Sequence, residues 1–467
     1  MNYLDYFKEL CKIPHGSGNT EAISNHLCNF AKEHNLWYKK DEAGNVIIVR
    51  EATKGRENDE PVIIQGHMDM VAVSDDDRDM TVTPLELCEE GDFLFAKGTS
   101  LGGDDGIAVA YGMQLLSDET LSLPKIELVV TVDEEVGMLG AVALDTSVLT
   151  GKRMINIDSE EEGIFLVSCA GGARIDFEFS MTKVEPGEGV SYEISVSGLL
   201  GGHSGTEIHK GRANAICLVG DILKKLADAK LLLAINDIKG GVADNAIADS
   251  CSATVLCKPV EKELFEIIRY EVLEKYLTVE TKAQITMTEK APAANNGSWY
   301  ANPDYTLSGF LSTLPNGVIA MSEDIEGLTE TSLNRGIISM DDSKVTLSVS
   351  VRSNVDAKKA RLLYDLKTIA EEYGVSTRVH GDYPGWAYRE NSPLRDRMVS
   401  VYREVYGKEP EIQALHAGLE CGVFAGKISD LDCVSFGPNM FDIHTTKERL
   451  SLSSAKRTWD YLVKVLG

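Results

Sequence analysis

Val62-Ile63-Ile64-Gln65-Gly66-His67-Met68-Asp69 is a short β-branched run that passes directly into a histidine and an acid, and it decides the reading of the chain. Two further compact apolar runs, residues 126–132 and 154–157, lead in the same way into acidic residues. Between the first two, residues 106–116 carry apolar positions at helical spacing. Buried strands alternating with helices are the grammar of an α/β layer with a mostly parallel sheet.

Working outward, the grammar changes. Residues 173–383 contain alternating strands, such as 191–196 and 344–351, with helical stretches at 213–227 and 357–372. That pattern predicts an α+β domain with an antiparallel sheet. Residues 291–298, rich in Pro, Ala, Asn and Gly, read as an internal loop and a candidate divide between two lobes. After Trp386 the first grammar returns, with helices over 394–406 and 454–466 and a strand over 433–436. The fold class expected is α/β: a domain of residues 1–171 and 387–467 with a mixed, mostly parallel sheet flanked by helices, interrupted by an inserted α+β domain, 172–386.

Composition narrows the function. At 467 residues the chain is long enough for two cores. A formal net charge of -27 argues against nucleic acid as a partner. The 9 cysteines form no Cys-x-x-Cys pair and sit largely among apolar residues, which suits a reducing compartment better than a disulfide framework. Residues 1–14 mix charges into an amphipathic helix rather than a signal peptide, and no stretch approaches membrane-spanning length, so the location expected is cytoplasmic.

The chemistry gathers at the carboxyl ends of the expected strands, where open α/β sheets bind ligands. His67 offers an imidazole, and Asp69, two residues on, can accept its other ring N–H. Leu101-Gly102-Gly103-Asp104-Asp105-Gly106 opens a helix. Taken alone its acids read as an N-cap, although a carboxylate there can also bridge two ions. Asp133-Glu134-Glu135 follows the second strand, and three consecutive acids repel one another unless cations lie nearby. Adjacent side chains diverge, so of Glu134 and Glu135 one can bind metal while the other serves as general base. Asp158 ends the third run, and His444 follows the last strand.

His67, Asp104, Glu135, Asp158 and His444 form a mixed nitrogen and oxygen set that suits zinc, with manganese or cobalt as substitutes. Five ligands exceed the needs of one tetrahedral ion, which points to two ions about 3.5–4 Å apart sharing a carboxylate.

Gly66-His67-Met68-Asp69, residues 101–106, Asp133-Glu134-Glu135-Val136-Gly137, Asp158-Ser159-Glu160 and Gly201-Gly202-His203-Ser204-Gly205 resemble the M20 metallopeptidases, in order and across nearly the whole chain. Residues 208–215 and His416-Ala417-Gly418-Leu419-Glu420-Cys421-Gly422 resemble the aminoacyl-histidine dipeptidase branch. The resemblance implies hydrolysis of dipeptides (Xaa-His, β-alanyl-His or broader) by water between two zinc ions. His67 and Asp158 would hold one ion, Glu135 and His444 the other, and Asp104 would bridge. Glu134 would be general base and then acid, and Asp69 would orient His67. The inserted domain would be a lid, with His203 stabilising the oxyanion and Asn245 and Arg352 holding the substrate carboxylate or backbone; Gly418, in the catalytic domain, would lie close to the peptide. An equivalent His in relatives can come from a partner subunit, which implies a homodimer. A tripeptide aminopeptidase, an N-acyl amino acid deacylase, or a non-catalytic peptide binder are the alternatives. Two departures stand out: Asp105 where relatives commonly carry Asn, and Thr445-Thr446-Lys447-Glu448 where they usually show Ser-Pro-Asp-Glu.

Overall fold

Four strands lie side by side and parallel at the centre of an eight-stranded sheet: Ile126–Thr131, Val62–His67, Arg153–Asn156 and Asp432–Ser435. The computed structural model describes residues 1–185, 187–290, 298–301 and 306–467. Every residue of Val62–His67 and Ile126–Thr131 is buried, as in parallel sheets covered on both faces. Their register brings the strand ends level, with His67 beside Thr131, Gln65 beside Asn156 and Asn156 beside Ser435. The flanks are antiparallel: Trp37–Lys40 and Val46–Arg50 on one side, Ile164–Cys169 on the other, with Glu411–Leu415 at the far edge.

Helix Gly103–Ser117 is buried from Gly103 through Leu116, so it reads apolar all round rather than amphipathic. The expected C-terminal helices are Pro393–Tyr406 and Leu452–Leu466. Each starts where a serine hydroxyl, Ser392 or Ser451, accepts a backbone N–H of the first turn. A small sheet of Met440–Phe441, Arg449–Ser451, Phe93–Ala96 and Leu87–Glu90 holds the chain that follows the last parallel strand.

The second sheet has eleven strands, and each of its described pairings is antiparallel. Strands expected at 191–196 and 344–351 are Val190–Ser197 and Lys344–Ser353. Helices expected at 213–227 and 357–372 are Ala215–Asp228 and Asp356–Glu372. The stretch 291–297, read as part of a divide between lobes, lies outside the described residues.

The chain forms two compact units. The first holds Met1–Cys169, Trp386–Ala414 and Leu419–Gly467; the second holds Ala170–Gly385 with Leu415–Gly418. Gly418 therefore sits in the second unit, not in the α/β domain to which its sequence position assigned it. The reason is hydrogen bonding: the Ala170 N–H is 3.0 Å from the carbonyls of both Leu415 and Ala417, and His416 Nε2 lies 2.7 Å from Ser332 Oγ. Among the described residues no helix is long and apolar enough to cross a membrane.

Candidate active site

The level ends of the parallel strands place the chemistry of the first unit in one layer. His67 is the last residue of its strand, the Glu134–Glu135 turn follows Thr131, Asp158 follows Asn156, and His444 lies beyond Ser435. Asp104, in the first turn of the buried helix, stands between the histidines. Its Oδ1 is 3.1 Å from His67 Nε2 and its Oδ2 3.1 Å from His444 Nε2. Asp158 Oδ1 is 3.8 Å from His67 Nε2, and Glu135 Oε1 is 2.9 Å from His444 Nε2. The five residues read from the sequence as ligands thus come together, Asp104 between the two histidines, Asp158 beside His67 and Glu135 beside His444.

Asp69 is fully buried and does more than the sequence suggested. The acceptor closest to His67 Nδ1 is the backbone carbonyl of Asp69 at 2.9 Å; the Asp69 carboxylate is 3.6 Å away, beyond hydrogen-bond range. That carboxylate instead accepts the Glu134 N–H at 3.0 Å and the Ser17 hydroxyl at 2.8 Å. The main-chain carbonyl holds the histidine ring, the carboxylate faces the same nitrogen at longer range, and that side chain also fixes the acidic turn.

Asp105 belongs to the cluster as well. Its Oδ2 accepts the His67 N–H at 3.2 Å, and one ligand atom each from His67, Asp105 and Asp158 lie within 4.8 Å of one another. Gly66 is required for this approach, because a Cβ there would come within 2.4 Å of Asp105 Oδ2. Glu448, four residues after His444, is 3% exposed and accepts the N–H groups of Leu101, Gly102 and Gly103 at 2.8, 3.1 and 2.8 Å. It ties the His444 loop to the turn that carries Asp104.

The electrostatics are those of acids gathered away from water. Burial, with Asp104 and Asp105 close by, pushes the Asp158 carboxyl well above its ordinary range. Burial likewise raises Asp105, and it raises Glu134 to about 7 with help from Glu135 and Asp104. For Asp104 burial works upward too, but hydrogen bonds from His444 and His67 hold it below the usual range. His444 is lifted to about 10 by Asp104 and Glu135. Burial works against a charge on His67, yet Asp104 and Asp69 raise its pKa well above normal. Asp105 Oδ1 is buried and accepts no hydrogen bond. Buried acids outnumber histidines, and the Asp105 oxygen is unsatisfied; multivalent cations fit such a site. His67, Asp104 and Glu135 form one candidate ligand group, and His67, Asp105 and Asp158 a second.

In the second unit, His203 Nδ1 accepts the N–H groups of Gly205 and Thr206 at 3.2 and 3.1 Å. A ring nitrogen that accepts two amides carries no proton, so Nε2 is the donor. Burial and then the Arg352 charge lower the His203 pKa, which keeps it neutral. The Asn245 carbonyl accepts the Ser204 N–H at 2.8 Å, and Asn245 and Arg352 line one pocket with Arg174, Asp244 and Tyr383. Arg352 Nη1 donates to the Tyr383 hydroxyl at 3.1 Å.

Ser17, Glu448 and Glu420 were not read as site residues. Glu448 and Glu420 stand inside motifs the sequence marked; Ser17 gave no signal, since a lone serine 52 residues from its partner has none to give.

Carboxylates and imidazoles converging at the carboxyl edge of a parallel sheet define a hydrolase-type metal centre. The chain belongs to peptidase family M20/M25/M40, whose pattern it matches over residues 63–467. It is 34% identical over 469 residues to the cytosol non-specific dipeptidase of Escherichia coli, covering 99% of this chain and 96% of that protein. Its structure is similar to aminoacylhistidine dipeptidase from Vibrio alginolyticus, with a TM-score of 0.91 at 34% identity over 99% of this chain and 96% of that one. The aminopeptidase PepT of Bacillus cereus shares the fold, with a TM-score of 0.57 at 17% identity, 100% of this chain and 97% of that one covered.

Proposed function

We propose that this chain is a metal-dependent dipeptidase. The observation that carries the reading is Asp104 spanning His67 and His444 at 3.1 Å on each side. The two relatives at 34% identity, both named as dipeptidases, favour dipeptides over the tripeptide and N-acyl substrates of the alternatives.

His67 and Asp158 would hold one ion, His444 and Glu135 a second, and Asp104 would serve both, with Asp105 close enough to adjust the first. Zinc suits the mixed donor set, and manganese or cobalt would substitute. Bound ions supply Lewis acidity toward the peptide carbonyl and lower the pKa of water. Glu134 takes the proton of the attacking water on its carboxylate and returns it to the leaving amine nitrogen. A carboxylate beside the ligand turn, free of an ion itself, is placed to make both transfers. Asp69 keeps Glu134 in place through its backbone N–H. We assign His203 to the developing oxyanion, as an Nε2–H donor, and Asn245, Arg352 and Gly418 to the substrate's backbone and terminal carboxylate. A homodimer and a cytoplasmic location complete the reading; nine free cysteines and the cytosolic relative support the location.

The test is a panel of carnosine, an Xaa-His dipeptide, dialanine, a tripeptide and an N-acetyl amino acid. Each is measured as purified, after chelation, after zinc or manganese is restored, and with Glu134→Ala. Dipeptide cleavage that chelator removes, metal restores and Glu134→Ala abolishes is the expected result. Turnover confined to the tripeptide or the acetylated substrate would overturn the dipeptidase assignment.

A further inference from the structure

Strands buried on both faces of a parallel sheet are ordinarily apolar to their ends. Here they are not. Gln65, Thr131, Asn156 and Ser435 sit at the carboxyl ends of four adjacent strands, and all are fully buried. The register places them on one face: Gln65 lies beside Asn156 and beside Val129, two residues before Thr131, and Asn156 lies beside Ser435. Glu420, the first residue of helix Glu420–Lys427 and equally buried, closes this layer. Its Oε2 accepts from Gln65 Nε2 at 2.5 Å and from Thr131 Oγ1 at 2.7 Å, and Asn156 Nδ2 donates to Gln65 Oε1 at 2.6 Å. One carboxyl oxygen therefore joins two strands directly and a third through an amide.

What these strands carry next gives the layer its meaning. His67 comes two residues after Gln65, Glu134 three after Thr131, and Asp158 two after Asn156. Burying five polar side chains costs stability unless they fix something, and local rules are broken where a site demands it. We propose that Glu420 is a positioning residue for the reaction, setting the spacing between His67 and the Glu134–Glu135 turn by clasping Gln65 and Thr131 from beneath. The assignment rests on the metal-dependent reading of the site above. Glu420 touches neither substrate nor ion; it acts through the strand ends, as outer partners of metal ligands do.

The experiment uses the full chain as wild type, Glu420→Ala, Glu420→Gln and Thr131→Val. Each is stripped of metal and titrated with cobalt, with the visible spectrum as readout, and kcat and KM for a dipeptide are measured beside it. Glu420→Ala is expected to bind cobalt about 10–100-fold more weakly and to lose kcat by a similar factor with KM little changed. Glu420→Gln, whose amide oxygen accepts the same two hydrogen bonds, is expected to restore both within about threefold, and Thr131→Val to fall between. A native cobalt isotherm and native kcat in Glu420→Ala would overturn the assignment, as would Gln failing as badly as Ala. If the alanine variant does not fold, Thr131→Val decides, and unchanged cobalt affinity there overturns it. A wild-type chain that binds no cobalt refutes the metal reading itself, and this assignment falls with it.

Discussion

Replacing Glu448 by alanine tests how the Asp104 turn is held. The Glu448 carboxylate accepts three N–H groups at 2.8–3.1 Å and a fourth, from Asp104, at 3.4 Å. Burial pushes this carboxyl above its usual range, the N–H groups of Leu101 and Gly102 pull it back, and the Asp104 charge pushes it up again. The net worth of the ion in place is therefore modest. Truncation is a different quantity, because it leaves buried donors without an acceptor. At about 1–3 kcal/mol each, three orphaned donors give a range of about 3–9 kcal/mol before relaxation. Water entering the space left by the carboxyl recovers part of that, so the expected loss is about 3 kcal/mol. Glu448→Gln keeps one acceptor oxygen but turns an NH2 toward the other N–H pair, and is expected to lose about half as much.

The assay is urea unfolding of the metal-free chain by tryptophan fluorescence, since Trp37, Trp386 and Trp459 all lie in the first unit. With a urea slope of about 3 kcal/mol/M, the alanine variant's midpoint for that unit moves down by about 1 M. Metal affinity is expected to fall with it, by about 10–100-fold, because the same carboxylate fixes Asp104 against the His444 loop. A midpoint within about 0.2 M of wild type, together with unchanged metal binding, would show that the cradle holds nothing.

Asp69→Asn turns an NH2 toward either the Glu134 N–H or the Ser17 hydroxyl, so kcat for a dipeptide should fall about 10–100-fold with the fold intact; steady-state kinetics beside circular dichroism check this, and a native kcat refutes it. Gly66→Ala drives a Cβ to 2.4 Å from Asp105 Oδ2 and 2.6 Å from Ala108 Cβ, and thermal unfolding should show a loss of at least about 1–3 kcal/mol. His416, in the second unit, is pushed down to about 3 by burial and then by the Arg352 charge. Its folded pKa lies below the unfolded value of about 6.5, so the unfolded chain takes the proton first. Its contribution is fully present above about 6.5 and declines by about 1.4 kcal/mol per pH unit as pH falls toward 3. Unfolding between pH 7 and 4.5 should lose stability more steeply in the wild type than in His416→Gln, by about that amount per pH unit; parallel slopes would refute it.

What was legible in the sequence shares one property: it leaves a periodic or terminal mark on the chain. The apolar runs at 62–64, 126–132 and 154–157 mark strands because burial on both faces excludes polar side chains, and the acids and histidines stand out where those runs stop. The meeting of Asp104 with its histidines needed no separate signal, since every parallel strand delivers its end to the same edge. Glu448 is different. Its partners are backbone N–H groups 344–347 residues away, and every residue but proline offers one, so no residue type announces the cradle. The same holds for the Asp69 carbonyl on His67 Nδ1, which acts beside the carboxylate and which no residue type announces. Gly418 was assigned by its neighbours in sequence, but short segments follow their hydrogen bonds, and the Leu415 and Ala417 carbonyls are bound by Ala170.

Those misses explain how the centre is built. Ligand positions are set by strand ends, which pattern specifies cheaply, while the angles at which ligands meet are set by side chains reaching back to main chain from remote parts of the sequence. Asp69 holds the Glu134 N–H, Asp105 the His67 N–H, and Glu448 those of the Asp104 turn. In each case an acid binds a backbone amide beside a ligand, so negative charge is concentrated around the centre even by residues that need not touch an ion. That arrangement is costly without cations, as the raised Asp158, Asp105 and Glu134 carboxyls show. It follows that metal removal should loosen the first unit more than the second, because the charge repulsion it unmasks lies wholly among residues of the first.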